Sequence, residues 1–326
     1  MSGSVGRAGN KYLVPAAIVV ILLVVGVAAG VYLTRGSTSS SSTSSSGSSS
    51  DRVIDVVAAE NFWGSLVSQL GGAHANVTSI VSDPNTDPHE YTTNPAAARA
   101  IAGAQLVVVN GAGYDTWALN LIASASTPNQ KVLNVQQLIG ASLDTNPHFW
   151  YSPYYVNDSV HSMYDDLVAI DPTDTAYFHQ QYAILNSSLW TSYMKQESLV
   201  RQQFGGAPVA STEDIFLYMA NATGLKVVSP PGFMTAVSQG SDPSAQDVAN
   251  MENLMMGGNS TVHVLVYNQQ TVTPLTQNIK TLATQNQIPV VAVTETIQPP
   301  TYTFQFWMGS EVISLQNALN SQALGR

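Results

Sequence analysis

"DTAYFHQQYAILNSSLWTSYMKQESLVRQQFGG", residues 174–206, decides how this chain is organised. Tyr177, Tyr182, Leu185, Leu189, Tyr193 and Leu199 recur at spacings compatible with one helical face. Asp171-Pro172 opens the segment and Gly205-Gly206 closes it, as helix start and stop signals do. A helix over 174–204 would run about 45 Å, long enough to span two lobes.

The flanking sequence supplies those lobes. Upstream, "VIDVVAA" (53–59), "VTSIVS" (77–82), "AQLVVVN" (104–110) and "KVLNV" (131–135) are short β-branched runs bounded by turn formers. Downstream, "APVAST" (207–212), "LKVVS" (225–229), "VHVLVYN" (262–268) and "IPVVAVT" (288–294) repeat the scheme. Helical stretches alternate with them, including one that opens at Asn94-Pro95, an N-cap with proline at the first helical position. Strands alternating with helices mean βαβ units and parallel sheets. The expected fold is therefore α/β: two similar lobes, 52–173 and 205–326, each on a four-stranded mainly parallel sheet, bridged by one long helix over 174–204. Ligands of open α/β sheets bind at the carboxyl ends of the strands, which directs attention to the cleft between the lobes.

Composition narrows the function. A net charge of −10, without clustered Lys or Arg, argues against nucleic acid. The absence of cysteine excludes disulfides, thiolate metal sites, Cys nucleophiles and a lipidated N-terminal cysteine. "YLVPAAIVVILLVVGVAAGVYL", residues 12–33, is long enough to cross a hydrocarbon core of about 30 Å. Arg7 and Lys11 precede it, so the positive-inside bias places the remainder of the chain outside the cell membrane. Residues 1–36 thus read as a transmembrane anchor, or as a signal cleaved near Val27-Ala28-Ala29. Residues 37–51 read as a flexible Ser-rich tether.

Four ligand-type side chains fall at strand ends or in the loops that follow. His89 lies in "SDPNTDPHEY" (82–91) and His148 in "NPHFWYSP" (146–153). Glu213 directly follows "APVAST", and Glu295 directly follows "IPVVAVT". Two imidazoles and two carboxylates make a neutral shell around a divalent cation. Singly, each has a plainer reading: a turn histidine, a packed loop histidine, a first-turn acid and a solvated loop acid. Their joint placement carries the metal reading.

"TDPHEY" with "NPAAARAIAGAQLVVVNGAGYDTW", then "NPHFWYSP", "STEDIFLYMANATGLKVV" and "VAVTETIQPPTYTFQFWMGSEVISLQNAL", resemble in order and spacing the TroA-like (cluster A-I) metal-binding solute receptors of ABC importers. The resemblance covers residues 53 to about 320. It implies His89, His148, Glu213 and Glu295 as metal ligands, a soluble part that is monomeric, and an ABC permease with its cytoplasmic ATPase as partners. The chain departs from the family at Ser152, where an Asp is usual, and at Glu295, where Asp is commoner.

Two carboxylates in the set put Mn²⁺ first, Zn²⁺ next and Fe²⁺ after them as cargo. Neither H-E-x-x-H nor G-x-S-x-G nor a Walker loop occurs, so an enzyme is not expected. The competing reading is a surface adhesin with a structural metal. The tether and the five N-x-S/T sequons, at Asn76, Asn157, Asn186, Asn221 and Asn259, suit it.

Overall fold

The first half begins with β1 (Ile54–Glu60), α1 (Asn61–Gly71), β2 (Ala75–Val81), α2 (Pro95–Gly103), β3 (Leu106–Val109) and α3 (Thr116–Ala125). It continues through β4 (Lys131–Asn134), the short α4 (Val135–Leu138) and α5 (Pro153–Ile170). The computed structural model describes residues 53–83, 91–125 and 127–324. The apolar segment 12–33, the Ser-rich tract and His89 lie outside the described residues. Among the described residues no helix is long and apolar enough to cross a membrane.

The second half holds β5 (Pro208–Ser211), α8 (Leu217–Thr223), β6 (Lys226–Val227), α9 (Pro231–Ser238) and α10 (Ala245–Met256). β7 (Leu265–Asn268), α11 (Pro274–Gln285), β8 (Val290–Val293) and α12 (Phe304–Leu324) complete it. Both sheets are four-stranded and parallel throughout, in the orders β2-β1-β3-β4 and β6-β5-β7-β8. In each, the strand order reverses between the first and third strands, which opens a crevice at their carboxyl ends.

The strands read as continuous apolar runs because helices cover both faces. Alternate residues part accordingly. Val56, Ala58, Leu106 and Val108 enter one core, while Val57, Ala59, Val107 and Val109 enter another. The first of these cores is shared between the halves. It takes in Phe62, Trp63 and Trp150 together with Val209, Phe216, Val266, Phe304 and Trp307.

Between the halves the chain is helical from Thr175 to Phe204: α6 (Thr175–Leu189), a π segment (Trp190–Met194) and α7 (Lys195–Phe204). The sequence pattern called for one uniform helix, and the π turn interrupts it. α12 packs against this turn at Gly309, where an added Cβ would lie 2.5 Å from the Ser192 carbonyl oxygen. The start of α12 is also tied to the first half. Gln305 Nε2 donates to Gln69 Oε1 at 2.7 Å, and Phe304 N donates to Ser65 Oγ at 3.0 Å.

Capping explains several helix starts. Asn94 Oδ1 accepts from the backbone N–H groups of Ala96 and Ala97 ahead of Pro95. Ser152 caps α5 by accepting from Tyr155 N, with Pro153 in the first turn. Helices α5, α9, α10 and α12 were not anticipated from the sequence, and the edge strand β6 is only two residues long.

Candidate metal-binding cleft

His148 enters on the loop after α4, and the residues on either side of it fix its ring. It is wholly buried, with Trp150 edge-on to it at 5.2 Å and Tyr114 at 6.2 Å between ring centroids. Nδ1 lies 2.8 Å from Asn146 Oδ1 and 3.2 Å from Asp214 Oδ1. Asn146 Nδ2 donates to the Asp214 carbonyl at 2.7 Å, which sets the amide so that Oδ1 faces the ring. Both neighbours of Nδ1 are acceptors, so the neutral imidazole carries its proton there and its lone pair on Nε2. The Ser152 departure therefore does not strip His148 of a carboxylate: Asp214, from the other half, provides one.

Glu213 follows β5 and is 1% exposed. Although it occupies the N-cap position of the turn Asp214–Phe216, its side chain makes no capping bond. Its Oε1 instead accepts from Asn268 Nδ2. Glu295, after β8, is fully buried. Its Oε1 accepts from Asn268 Nδ2 at 2.8 Å and from Thr271 Oγ1 at 3.2 Å. Its Oε2 accepts from the Tyr114 hydroxyl at 2.8 Å. The plainer readings of Glu213 and Glu295 as first-turn and solvated acids do not fit these contacts.

The structure thus links Glu213 to Glu295 through Asn268, and Glu295 to the His148 loop through Tyr114. His89 lies outside the described residues. Among the described residues no three His, Cys, Asp or Glu side chains are gathered closely enough to hold a metal ion. An amide and a phenol hydroxyl stand among the three ligand-type groups.

Residues that look unremarkable in sequence hold the cleft together. Tyr114 projects from a turn in which Gly111, Ala112 and Gly113 all have positive φ, at 80°, 52° and 82°. Asp115 stabilises that turn by accepting from Asn110 N at 2.5 Å and Gly111 N at 2.8 Å. Burial pushes the Asp115 carboxyl up to about 6, against the lowering effect of those bonds. Glu60, at the end of β1, is buried beside Asp115 and hydrogen-bonds to it. Burial first, and the Asp115 charge second, raise it well above the usual carboxylate range. Asn110 Oδ1 accepts from Trp63 Nε1 at 3.2 Å, and its amide donates to the Pro147 carbonyl at 2.8 Å, just before His148.

Behind Glu295 sits a second buried acid. Glu311 Oε1 accepts from Thr294 N at 3.0 Å, and its Oε2 lies 2.7 Å from the Tyr151 hydroxyl. Burial raises this carboxyl to about 8. At neutral pH it is therefore protonated and donates to Tyr151, whose own O–H donates to the Thr294 carbonyl at 2.9 Å.

A polar hollow of about 540 Å³ opens beside this cluster, with Tyr114, Asp144, Asn146, Pro147 and Asp214 among its walls. A hollow of about 640 Å³ lies at the other end of the first sheet, around Gln105 and Lys131. It is remote from the strand carboxyl ends and gathers no cluster of acids or histidines.

Residues 56–318 match the family described as zinc-uptake complex component A, periplasmic (ZnuA). A putative metal-binding protein of Thermotoga maritima is 26% identical over 177 residues, 53% of this chain and 63% of that protein. The zinc-binding protein TroA of Treponema pallidum is 26% identical over 180 residues, 52% of this chain and 56% of that protein. The matches thus span little more than half the length of these curated relatives. The Mn-bound periplasmic metal-binding protein from Candidatus Liberibacter asiaticus shares the fold. Its TM-score is 0.67 at 16% identity, covering 82% of this chain and 99% of that one. The chain belongs to the zinc-uptake complex component A family, whose members are extracytoplasmic metal-binding receptors and not enzymes.

Proposed function

We propose that this chain captures a divalent transition metal ion in the cleft between its two sheets and delivers it to an ABC importer. His148, Glu213 and Glu295 supply three ligands, and His89, which follows β2 in the sequence, supplies the fourth. The observation that carries this reading is the burial of all three described side chains, Glu213 and Glu295 just past strand ends of the second half and His148 on the loop after α4, with Asn268 and Tyr114 linking them. A buried carboxylate needs hydrogen-bond donors or a cation, and a buried imidazole with Nδ1 held by acceptors presents Nε2 as a ligand. Mn²⁺ and Zn²⁺ are the two ions the donor set accommodates best. Two lobes joined through residues 174–204 form the binding unit, segment 12–33 anchors it, and the Ser-rich tract gives it reach to a permease and its ATPase.

Release requires the cross-cleft contacts to loosen. Tyr114 to Glu295, Asn146 to Asp214 and Tyr218 Oη to the Asn146 carbonyl at 2.8 Å all join the halves. A shared core beneath them limits that motion to small displacements, which a docked permease would bias.

The test is calorimetric titration of the metal-stripped chain with Mn²⁺ and Zn²⁺, repeated for His89→Ala and His148→Ala. Reversible one-to-one binding, weakened at least tenfold by either change in a folded protein, supports the receptor. Affinity untouched by both changes would sink the site. A metal whose brief chelation unfolds the protein would favour the adhesin with a structural ion.

A further inference from the structure

We propose that the helical connection between the halves carries a proton-linked joint, in which Glu197 keeps α7 packed while its carboxyl is neutral and releases it as the carboxyl ionises. The proposal does not rest on the metal reading above. Glu197 lies on the buried face of α7 between Tyr193 and Val200, both part of the core shared by the halves. It is 3% exposed, and among the described residues its Oε1 has no hydrogen-bond partner. Tyr193, one turn earlier in the π segment, is 1% exposed, and its hydroxyl likewise has none. Such π turns are rare and concentrate at functional positions. A charge on Glu197 would be buried without a donor. Burial accordingly raises its carboxyl to about 8, against the lowering influence of Arg201.

Among the described residues, the charged and titratable groups around Glu197 are committed elsewhere. α7 packs against the π segment, α8 and α12. Arg201, one turn on, holds the end of α8: its Nε donates to the Ala222 carbonyl at 2.8 Å and its Nη2 to the Asn221 carbonyl. Lys195 is exposed. Tyr193 stays neutral, raised well above the usual phenol range by burial and by the Glu197 charge. On α8 the Tyr218 hydroxyl donates to the Asn146 carbonyl, and on α12 Glu311 is held by Thr294 and Tyr151. The seam between α7 and α12 is polar. Gln196 Nε2 donates to Gln316 Oε1, and Gln316 Nε2 donates to Gln203 Oε1 at 3.0 Å. Because the start of α12 is tied to the first half, parting this seam loosens the joint between the halves. In the packed connection the carboxyl stays neutral up to about pH 8, whereas once exposed it ionises above its ordinary 4.5. The packed state is thus fully favoured below about pH 4.5 and loses that advantage as pH rises toward 8.

The experiment is amide hydrogen exchange of the chelator-treated full chain at pH 5, 6 and 7, for wild type and Glu197→Gln. Rates are corrected for the intrinsic effect of pH on exchange. Peptides over 190–204 report the joint, and peptides over β3 report opening of the whole fold. In wild type, opening of 190–204 should exceed that of β3 and rise about tenfold per pH unit relative to the variant. Equal pH dependence in the two proteins would overturn the proposal. So would exchange over 190–204 no faster than over β3, because the segment would then open only when the whole fold does. If Glu197→Gln does not fold, Glu197→Leu, which suits the apolar surroundings, takes its place with the same outcomes decisive.

Discussion

Replacing Glu311 with Gln is expected to stabilise the protein at neutral pH and to flatten its pH dependence. The folded-state value of Glu311 is raised to about 8 from an ordinary 4.5, chiefly by burial. Between those two values the folded chain holds a proton that the unfolded chain has released. Stability contributed by this group is fully present below about pH 4.5 and is lost as pH rises toward 8. At about 1.4 kcal/mol per pH unit, the loss is about 3 kcal/mol at pH 7 and about 1 kcal/mol at pH 5. Gln reproduces the protonated acid. Its oxygen can accept from Thr294 N and its –NH₂ can donate to Tyr151, so the change removes the titration while keeping the contacts. The assay is urea unfolding of the chelator-treated chain at pH 5, 6, 7 and 8, for wild type and Glu311→Gln. Glu60, Asp115 and Glu197 also have raised values, but they are common to both proteins and cancel in the difference. The stability gap should widen by about 2 kcal/mol between pH 5 and pH 7. Parallel pH profiles would refute the reasoning, because Glu311 would then carry the same charge folded and unfolded.

Tyr114→Phe should lower the stability of the metal-free protein by about 1–3 kcal/mol, read from its urea midpoint, since it removes a buried donor to Glu295. Asp214→Asn should weaken metal binding about tenfold in the same calorimetric titration, because the carboxylate beside His148 Nδ1 is lost. Gly309→Ala should cost about 1–3 kcal/mol and lower the melting temperature by several degrees, since the new methyl meets the Ser192 carbonyl.

The parallel strands were legible because β-branched runs between turn formers leave few alternatives, and the Asn94-Pro95 signal marks a helix start that the structure bears out. The helix over 174–204 was legible in extent but not in its π turn, which lies where Gly309 of α12 packs closely and leaves no local mark. α12 escaped notice because it packs against the π turn, α7, β8 and α1, and so lacks a single apolar stripe. Ser152-Pro153 carries a helix-start signal, a hydroxyl ahead of proline at the first helical position, and α5 opens there. In the cleft, His148, Glu213 and Glu295 stood out as ligand-type residues at strand ends or in the loops that follow. Asn268, Tyr114 and Asn146 did not, because an amide or a phenol beside a turn looks like any polar residue until its partners are known. The paired asparagines closing "VVVN" and "LVYN" were the available clue. They show their meaning only when the strand order puts each beside its loop.

The most direct test of the central claim is a crystal structure of the metal-loaded chain, with anomalous diffraction recorded at the zinc and manganese edges. The account predicts one ion at about 2.0–2.3 Å from His148 Nε2 and from an oxygen each of Glu213 and Glu295, with His89 completing the shell. An ion held elsewhere, such as at the exposed His161–Asp165 pair, with those three side chains still bound only to protein groups, would contradict it.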